Sequence, residues 1–467
     1  MSSIRWMQLA PICVAVVCLT CRLPTPAEAG SPSRPNVLFL LADDLRPDTI
    51  AALGNPVVET PHLDSLVHGG TAFLRAVSPN PLCVPARAEI MTSLCGLRGG
   101  EIDTRIGGRP LWAEAMRSAG YRTWYVGKWH NDGRPATRGY EESLGLYATG
   151  GRRYPLRFPT DYAGRAVTGY VGWVFQTDAG RLLPEWGVGL TPNISERFAD
   201  AAIELIGRTD KRPFFLHVNF TAPNDPLLVP PGWKDRYKPD DIALPENFLP
   251  EHPFDHGNFD GRDEKLLPRP RTPADVRADL AAYYAVISHL DEQVGRILDS
   301  LKATGQADTT VVIFSGDHGL AIGSHGLRGK QNMYDHTVGV PLVLCGPGIP
   351  AGVRSRAQCY LRDLFPTICE LCGAAIPEGI EGKSLAPLLR GEARSLYPHV
   401  FGYYGDAQRM VRTERWKLIH YLQIGKWQLF DLQNDPHERV NLGDSPDHAA
   451  ILAELQAVLA TWLRARQ

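Results

Sequence analysis

Three pairs of polar residues in this chain directly follow apolar runs that are typical of buried strands. The pairs are Asp43 with Asp44, Lys128 with His130, and Asp317 with His318. Ligands of open α/β sheets bind outside the carboxyl ends of the strands, so we expect these side chains to meet at one rim. Adjacent carboxylates suit a hard divalent cation, and an imidazole exchanges a proton near neutral pH. Each pair alone would equally suit a turn, a helix cap or a solvated surface, but together they predict an active site.

The segment around Cys83 narrows the chemistry that such a rim could perform. It reads PLCVPAR, which contains the pattern C-x-P-x-R. It stands about forty residues after RPNVLFLLADDLRPD and precedes GKWH and SGDHG. In this order and strand context the segments resemble those of the sulfatase family, and the resemblance extends over most of the chain to the C-terminal FDLQNDPHERVNL. In that family the cysteine is oxidised to formylglycine, an aldehyde whose hydrate provides the attacking hydroxyl, and the resemblance implies the same for Cys83.

The same resemblance implies a metal site. The residues at the family's metal positions are Asp43, Asp44, Cys83 in its modified form, Asp317 and His318. Ca²⁺ fits the carboxylate-rich part of this set, because hard cations prefer oxygen ligands. The family often has Asn where this chain has His318, so Mg²⁺ and Mn²⁺ stay open as alternatives.

Four further residues match family positions around the sulfate and the hydrated aldehyde. They are Arg87, Lys128, His130 and Lys330. A sulfuryl group in transfer spreads negative charge over its oxygens, and fixed cations beside a metal stabilise that charge. The implied mechanism starts with Asp317 and the metal favouring loss of a proton from one hydroxyl of the hydrate, whose oxygen then attacks sulfur. His130 takes the proton of the second hydroxyl, the aldehyde reforms and sulfate leaves.

Two features depart from the family's usual pattern. Many sulfatases carry P-H-x-P where this chain reads APNDP, and the family's His is thought to protonate the leaving group. Asn224 can bind a sulfate oxygen but cannot donate a proton at working pH. Lys330 or His325 would then supply the proton, or the leaving group would need little protonation. Ala86 also stands where the family often has Ser, which bears on recognition by the enzyme that modifies Cys83.

The elements that must position these residues read as an α/β fold. Five continuous apolar runs predict buried strands: Asn36–Leu41, Arg122–Val126, Pro213–Phe220, Thr310–Phe314 and Pro341–Cys345. Continuous rather than alternating runs suit a parallel sheet that is covered on both faces. A helix is predicted over Ala278–Leu301, preceded by an N-cap and proline at Thr272 and Pro273. We therefore predict a large doubly wound, mostly parallel sheet flanked by helices.

The character of the chain changes in its last quarter. Arg409–Leu432 reads as antiparallel strands around a turn at Gly425, and a helix is predicted over Ala449–Arg464. These elements predict a smaller C-terminal α+β subdomain with a short antiparallel sheet. The predicted division is 1–29, 30–353 for the catalytic domain and 354–467 for the subdomain. The Pro- and Asp-rich stretch Tyr237–Arg271 is predicted to be a long loop near the substrate entrance.

The first 29 residues read as a signal peptide. Arg5 precedes an apolar stretch over Trp6–Leu19, and Ala27-Glu28-Ala29 matches a small-x-small cleavage site. The apolar stretch is too short to span a bilayer comfortably, and no other stretch is long enough, so we expect no stable membrane span. We expect an exported protein, periplasmic or secreted. The remaining six cysteines do not describe a disulfide scaffold.

Composition and context limit the partners. Lys and Arg total 49 and Asp and Glu total 51, so the basic excess of a nucleic-acid-binding protein is missing. We expect a sulfated carbohydrate substrate, on which Trp129, Trp173, Trp186 or Trp233 could stack, although such aromatics are more often core residues. A formylglycine-generating or anaerobic sulfatase-maturating enzyme would act on Cys83. The alternatives are a phosphomonoester or phosphonate hydrolase of the wider alkaline-phosphatase-like superfamily, whose typical nucleophile is Ser or Thr, and a non-catalytic sulfated-glycan-binding protein.

Overall fold

The computed structural model of the chain describes residues 34–208 and 210–467, so the predicted signal peptide lies outside the described residues. Within them, fifteen strands are found. They are β1 Asn36–Ala42, β2 Gly70–Val77, β3 Leu97–Arg98, β4 Glu101–Ile102, β5 Arg122–Lys128, β6 Glu142–Thr149, β7 Trp173–Gln176, β8 Phe214–Asn219, β9 Thr310–Gly316, β10 Gly339–Cys345, β11 Val353–Tyr360, β12 Val400–Tyr404, β13 Gln408–Arg412, β14 Trp416–Tyr421 and β15 Lys426–Asp431. All five predicted strands are present, with ends that differ by at most two residues from those predicted.

Nine α-helices accompany these strands in the described residues. They are α1 Pro61–Gly69, α2 Cys83–Thr92, α3 Trp112–Ser118, α4 Ile194–Ile206, α5 Pro273–Ala303, α6 Asp335–Val338, α7 Leu364–Leu371, α8 Ala386–Leu389 and α9 Ala449–Arg464. The Thr272 side chain accepts a hydrogen bond from the backbone N–H of Asp275, which caps α5 as predicted. In the part of the chain that the structure describes, no helix is long and apolar enough to cross a membrane.

Nine strands form one large sheet in the order β11-β2-β10-β9-β1-β8-β5-β6-β7. Strands β9, β1, β8, β5 and β6 run parallel, and β11 runs parallel to β2. Alternate residues of β1 enter different cores, with Leu38 and Leu40 on one face and Val37 and Phe39 on the other. Helices α1, α4 and α5 cover the first face and α2, α3 and α7 the second. The prediction of a mostly parallel sheet covered on both faces is confirmed.

Two strands of the large sheet, β10 and β7, run antiparallel to their neighbours, whereas the predicted α/β alternation implies parallel strands. Strand β10 pairs antiparallel with both β9 and β2, and β7 pairs antiparallel with β6. Between β9 and β10 the only helix is the four-residue α6. A parallel connection usually crosses over through a helix that packs on the sheet, and this segment forms turns around the site instead.

The C-terminal sheet has the antiparallel order β12-β13-β14-β15, with the β14–β15 turn at Gly425 as predicted. Helix α9 packs Leu455 and Leu459 against Leu418 and Leu429 of this sheet. The boundary predicted at residue 354 is corrected, because it falls inside β11, a strand of the large sheet. Helix α7 also belongs to the core of the large sheet. Residues 34–467 form one compact unit.

The parallel register brings the carboxyl ends of four strands to one edge. Ala42 of β1 is level with Gly316 of β9, and Asn219 of β8 is level with Gly127 of β5. Because the strands run in one direction, whatever follows each of them emerges on the same side. The three polar pairs that the sequence singles out therefore emerge at this edge.

Candidate active site

Cys83 is the first residue of α2 and lies at the centre of the polar edge. Its side chain is buried, with Sγ 4.0 Å from Asp44 Oδ1, 3.7 Å from Lys330 Nζ and 3.9 Å from Asn224 Nδ2. Burial opposes ionisation of the thiol, yet Lys128 and Lys330 hold the pKa of Cys83 below its ordinary value. The position therefore stabilises negative charge on whatever group stands at residue 83.

Two groups of potential metal ligands meet at Cys83. Asp44, Cys83 and His318 form one group, and Asp43, Cys83 and Asp317 form the other; within each group the ligand atoms lie within 4.8 Å of one another. All three carboxylates are fully buried. Asp44 has a φ of 62°, so the chain turns sharply after β1, and its N–H donates to Asp317 Oδ1 at 3.1 Å. All five residues predicted to hold a metal are brought together.

His318 tests whether this pocket fits a cation. Its Nδ1–H donates to the Gly319 carbonyl at 3.1 Å, so Nε2 is the ring nitrogen that faces the carboxylates. Nε2 is buried without a hydrogen-bond partner, 3.4 Å from Asp44 Oδ1 and 3.7 Å from Asp317 Oδ1. Although burial lowers the pKa of His318, Asp317 and Asp44 raise it to about 9. The pocket attracts positive charge, and its nitrogen and oxygen donors fit a divalent cation.

Arg87 ties the nucleophile helix to the acidic pairs. It lies one turn after Cys83 on α2, so both side chains leave the same face of the helix. Its Nε donates to Asp317 Oδ2 at 3.0 Å and its Nη2 to Asp43 Oδ1 at 3.3 Å, and Nη1 donates to Asn219 Oδ1. The guanidinium is 3% exposed, so it is fixed before any substrate arrives.

Two lysines complete the ring of cations. Lys128 Nζ lies 2.5 Å from Asp43 Oδ2, and Lys330 Nζ lies 2.8 Å from Asp44 Oδ2. Both side chains are buried. Lys330 reaches the site from the turn-rich segment between β9 and β10, whereas Lys128 ends β5. Three fixed cations therefore face three buried carboxylates around position 83.

His130 and Asn224 lie on the wall of this arrangement. His130 packs edge-on against Trp173, with 4.7 Å between ring centroids, and its Nδ1 is buried without a partner. Burial and the Lys128 charge lower the pKa of His130 to about 3, so the imidazole is neutral near pH 7 and available as a proton acceptor. Asn224 Nδ2 donates to Asp43 Oδ2 at 3.0 Å.

A cleft of about 360 Å³ opens above these groups. Its lining includes Cys83, Lys128, His130, Tyr170, Trp173, Asn224, Arg262, Asp263, Lys330 and Gln331. Arg262 and Asp263 come from the segment predicted to be a loop at the entrance. Of the four tryptophans considered as sugar platforms, Trp173 alone lines the cleft. Trp129 is buried in the core beneath α3, and Trp233 packs against the other core.

Tyr170 belongs to the site but carries no motif in the sequence. Its hydroxyl donates to Asp43, and Lys128 Nζ lies 5.1 Å from its ring centroid. Its φ of 58° is uncommon for a bulky residue and persists only where surrounding contacts determine it. Such strain concentrates at functional sites, and a backbone angle cannot be read from a sequence of loop residues.

Replacing Tyr170 with Phe is expected to lower kcat/KM about 10- to 100-fold. A hydrogen bond to a buried charged group contributes about 1.5–3 kcal/mol, and Tyr170→Phe removes one of those that position Asp43. Steady-state kinetics with a chromogenic ester would measure the effect. Tyr397→Phe is the matched control, because Tyr397 also donates to a buried carboxylate, Asp363, away from the cleft. Equal kinetic losses in both variants would refute a specific role for Tyr170.

His325 does not enter the cleft, and its predicted role at the substrate is corrected. The His325 N–H at Nε2 donates to the Glu438 carbonyl at 2.9 Å, and the ring stacks on Tyr334 with 3.7 Å between centroids. Burial lowers the pKa of His325 to about 3. A neutral imidazole that is locked into the C-terminal region cannot protonate a leaving group in the cleft.

Buried neutral histidines near His325 make the protein sensitive to acid. Burial lowers the pKa of His256 to about 3 and that of His252 to about 4. The unfolded chain binds a proton near pH 6.5 but the folded chain does not, so stability is full above that pH and falls as the pH drops. Each such histidine is expected to reduce the free energy of unfolding by ~1.4 kcal/mol per pH unit between about pH 6 and 4.

Urea denaturation at pH 7.5, 5.5 and 4.5 would measure this dependence. His256→Leu should reduce the slope of the free energy of unfolding against pH by the contribution of about one proton, because one histidine that binds a proton on unfolding is removed. Neither ring nitrogen of His256 has a hydrogen-bond partner, so the substitution breaks no hydrogen bond. His68→Gln, a change at an exposed histidine, is the control and should leave the dependence unchanged. Identical pH profiles for the parent and His256→Leu would contradict the assignment.

The sequence is similar to known sulfatases over most of its length. A family model described as Sulfatase matches residues 35–374, and one described as N-sulphoglucosamine sulphohydrolase, C-terminal, matches residues 323–465. The chain is 28% identical to an ulvan-active sulfatase of Formosa agariphila, over 98% of this chain and 87% of the relative. It is 27% identical to an arylsulfatase of Clostridium perfringens, over 93% of this chain and 95% of the relative.

A solved structure shares the architecture. The phosphonate monoester hydrolase of Silicibacter pomeroyi matches with a TM-score of 0.71 and 25% identity, over 93% of this chain and 96% of that chain. The large sheet, its flanking helices and the small antiparallel C-terminal sheet are therefore an architecture found among known hydrolases.

Proposed function

Because the chain belongs to the sulfatase family and is a sulfuric ester hydrolase, we propose that it cleaves sulfate esters of carbohydrates through formylglycine made from Cys83. The observation that carries the proposal is the position of Cys83. It is the first residue of α2, at the floor of the cleft, between the acidic pairs and the cationic ring. A divalent cation, for which we propose Ca²⁺, would be held by Asp43, Asp44, Asp317 and His318 together with residue 83.

The residues around the ester have different roles: charge stabilisation, proton transfer and sulfate binding. Arg87, Lys128 and Lys330 supply fixed positive charge where the sulfuryl oxygens gain negative charge in the transition state. His130 is neutral near pH 7. We assign to it the proton of the second hydroxyl of the hydrate. When bound, the cation would act as a Lewis acid, and the hydrate at residue 83 would supply the attacking hydroxyl. Asn224 binds a sulfate oxygen, so a proton for the leaving group comes from Lys330 or is not needed.

The carbohydrate assignment is supported by relatives and by the lining of the cleft. The C-terminal region matches a family model named for a sulphohydrolase of N-sulphoglucosamine, and one relative is active on ulvan. Trp173 and Tyr170 form aromatic surface beside the cations, which suits the apolar faces of a sugar ring. We also propose that residues 1–29 direct export to the periplasm or beyond, and that a formylglycine-generating or anaerobic maturating enzyme converts Cys83.

The test is turnover by protein matured in its native host or with a co-expressed formylglycine-generating enzyme. Mass spectrometry of the tryptic peptide that contains residue 83 would measure the formylglycine fraction. Sulfate release from a panel of sulfated saccharides and from 4-nitrophenyl sulfate would then be followed by ion chromatography. We expect activity proportional to the formylglycine fraction and higher kcat/KM on saccharides. Fully converted protein that releases no sulfate from any panel member would refute the proposal.

A second candidate activity is hydrolysis of phosphonate monoesters. The likeness to the Silicibacter pomeroyi enzyme over almost the full length of both chains favours it. A phosphoryl group has the same tetrahedral arrangement of charged oxygens, so the same cations would stabilise its transfer. Including 4-nitrophenyl phenylphosphonate in the panel tests this candidate directly. A kcat/KM above that for every sulfate ester would make phosphonate hydrolysis the principal activity.

A further inference from the structure

A second groove lies on the edge of the large sheet, apart from the cleft. Its cavity volume is about 530 Å³, and strand β11, the edge strand of the sheet, provides one wall through residues 355–358. Residues before β12 and the turn between β13 and β14 provide the others. No residue that lines this groove also lines the cleft. Any ligand here would therefore bind away from Cys83.

The groove carries unpaired positive charge. Arg356 and Arg394 are exposed, and among the described residues neither has a hydrogen-bond acceptor or an acidic partner. Arg415 is held by Asp431, through Nε at 3.0 Å and Nη2 at 2.7 Å. Glu414 is the one acidic residue in the described lining. The chain as a whole has a formal charge of −2, so this local excess of cations is a feature of the groove and not of the overall composition.

Arg75 contacts two residues that line the groove. Arg75 donates only to the backbone carbonyls of Thr413 and Glu414, both of which line the groove. Burial, with Arg412 and Arg356 adding to it, lowers the pKa of Arg75 to about 10, although Asp335 and Glu414 act in the opposite direction. Burial disfavours the charged form of an arginine, and nearby cations add to that effect. Arg356 therefore brings to this region a positive charge that pairs with no acidic group among the described residues.

We propose that this groove binds an anionic stretch of a sulfated polysaccharide, as a subsite separate from the catalytic cleft. The choice of ligand rests on the proposed function, and the existence of an anion-binding groove does not. Arginine forks match the planar arrangement of two sulfate oxygens, and Arg356 and Arg394 have all their donors free. Tyr397 and Pro398 supply apolar surface for sugar rings between the charges. A chain held here would raise the effective concentration of its esters at the cleft.

The test compares Arg356→Gln/Arg394→Gln with a control double variant, Arg117→Gln/Arg181→Gln. The control removes the same charge from exposed arginines that also lack acidic partners among the described residues. Titration calorimetry with dextran sulfate, neutral dextran and polyglutamate would give the affinities. We expect the groove variant to weaken dextran sulfate binding at least tenfold, the control less than twofold, and both to keep the parental kcat/KM on 4-nitrophenyl sulfate.

Three results would overturn the proposal. The first is equal weakening in both double variants, which would show that only net charge matters. The second is unchanged binding in the groove variant. The third is polyglutamate binding as tightly as dextran sulfate, which would identify an acidic polypeptide as the partner. These affinities do not depend on turnover. A protein that released no sulfate would contradict the proposed function, whereas the binding data alone would decide whether the groove binds an anion.

Discussion

Cys83→Ala is expected to lower sulfate release by at least about 10³-fold while the protein stays folded. Removing the nucleophile of a covalent mechanism leaves only binding and electrostatic stabilisation, which retain a small part of the rate enhancement. The substitution removes one sulfur atom at the end of a helix, and Cys83 contributes little to the hydrophobic cores. The measurement is the initial rate on 4-nitrophenyl sulfate with purified, matured protein. The thermal midpoint of each variant would be recorded in parallel.

Two further variants separate chemistry from structure. Cys95→Ala is the matched control, because Cys95 is also buried and unpaired but lies near Tyr403 and Leu97, away from the acidic pairs. It should keep the parental rate, with at most a modest loss of stability. Cys83→Ser would supply a hydroxyl without the hydrate's internal route to sulfate release, so we expect at most one slow turnover. A Cys83→Ala enzyme that works at the parental rate would end the formylglycine proposal.

Strand positions could be predicted because continuous apolar runs require burial on both faces. Strand β1 shows this, since alternate residues of one run enter two different cores. Strand β2 escaped prediction because Arg75 interrupts its apolar run. That side chain is half-buried and donates to carbonyls of the C-terminal region, and only the tertiary structure provides those acceptors. The direction of β10 was not predicted, because an apolar run indicates where a strand lies but not which way it runs in the sheet.

The site was predictable where a motif fixes backbone and side chain together. Asp43 and Asp317 directly follow parallel strands, so strand direction alone places them at one edge. Tyr170 and His325 show the limit. Both have positive φ, which redirects the side chain: Tyr170 faces Asp43, and His325 faces Glu438 instead of the cleft. Residue type and spacing specify which groups come near the site, but in turns the backbone angle decides where each one points.

The second large effect concerns the cation. Treatment with EDTA followed by gel filtration is expected to lower the rate below about 1% of the parental value, and Ca²⁺ is expected to restore it. Three buried carboxylates converge on residue 83, and Nε2 of His318 has no protein partner. A cation among these donors would supply the Lewis acid that sulfuryl transfer requires. Parallel additions of Mg²⁺ and Mn²⁺ would rank the three ions by the rate that each restores.

Binding of the cation can be measured without turnover, so this prediction can be tested even on protein that releases no sulfate. An ion that binds only the folded chain stabilises it by about 2.7 kcal/mol at one hundred times its Kd, so Ca²⁺ should raise the thermal midpoint of the stripped protein. Because three carboxylates remain, His318→Ala should weaken Ca²⁺ binding and move that rise to higher Ca²⁺ concentration. Asp335→Asn is the control, since Asp335 pairs with Arg412 and Lys417 outside the cleft, and it should lower the midpoint yet keep the response to Ca²⁺. A stripped protein that keeps the full rate, or whose thermal midpoint does not respond to Ca²⁺, would show that the acidic pairs hold no catalytic metal.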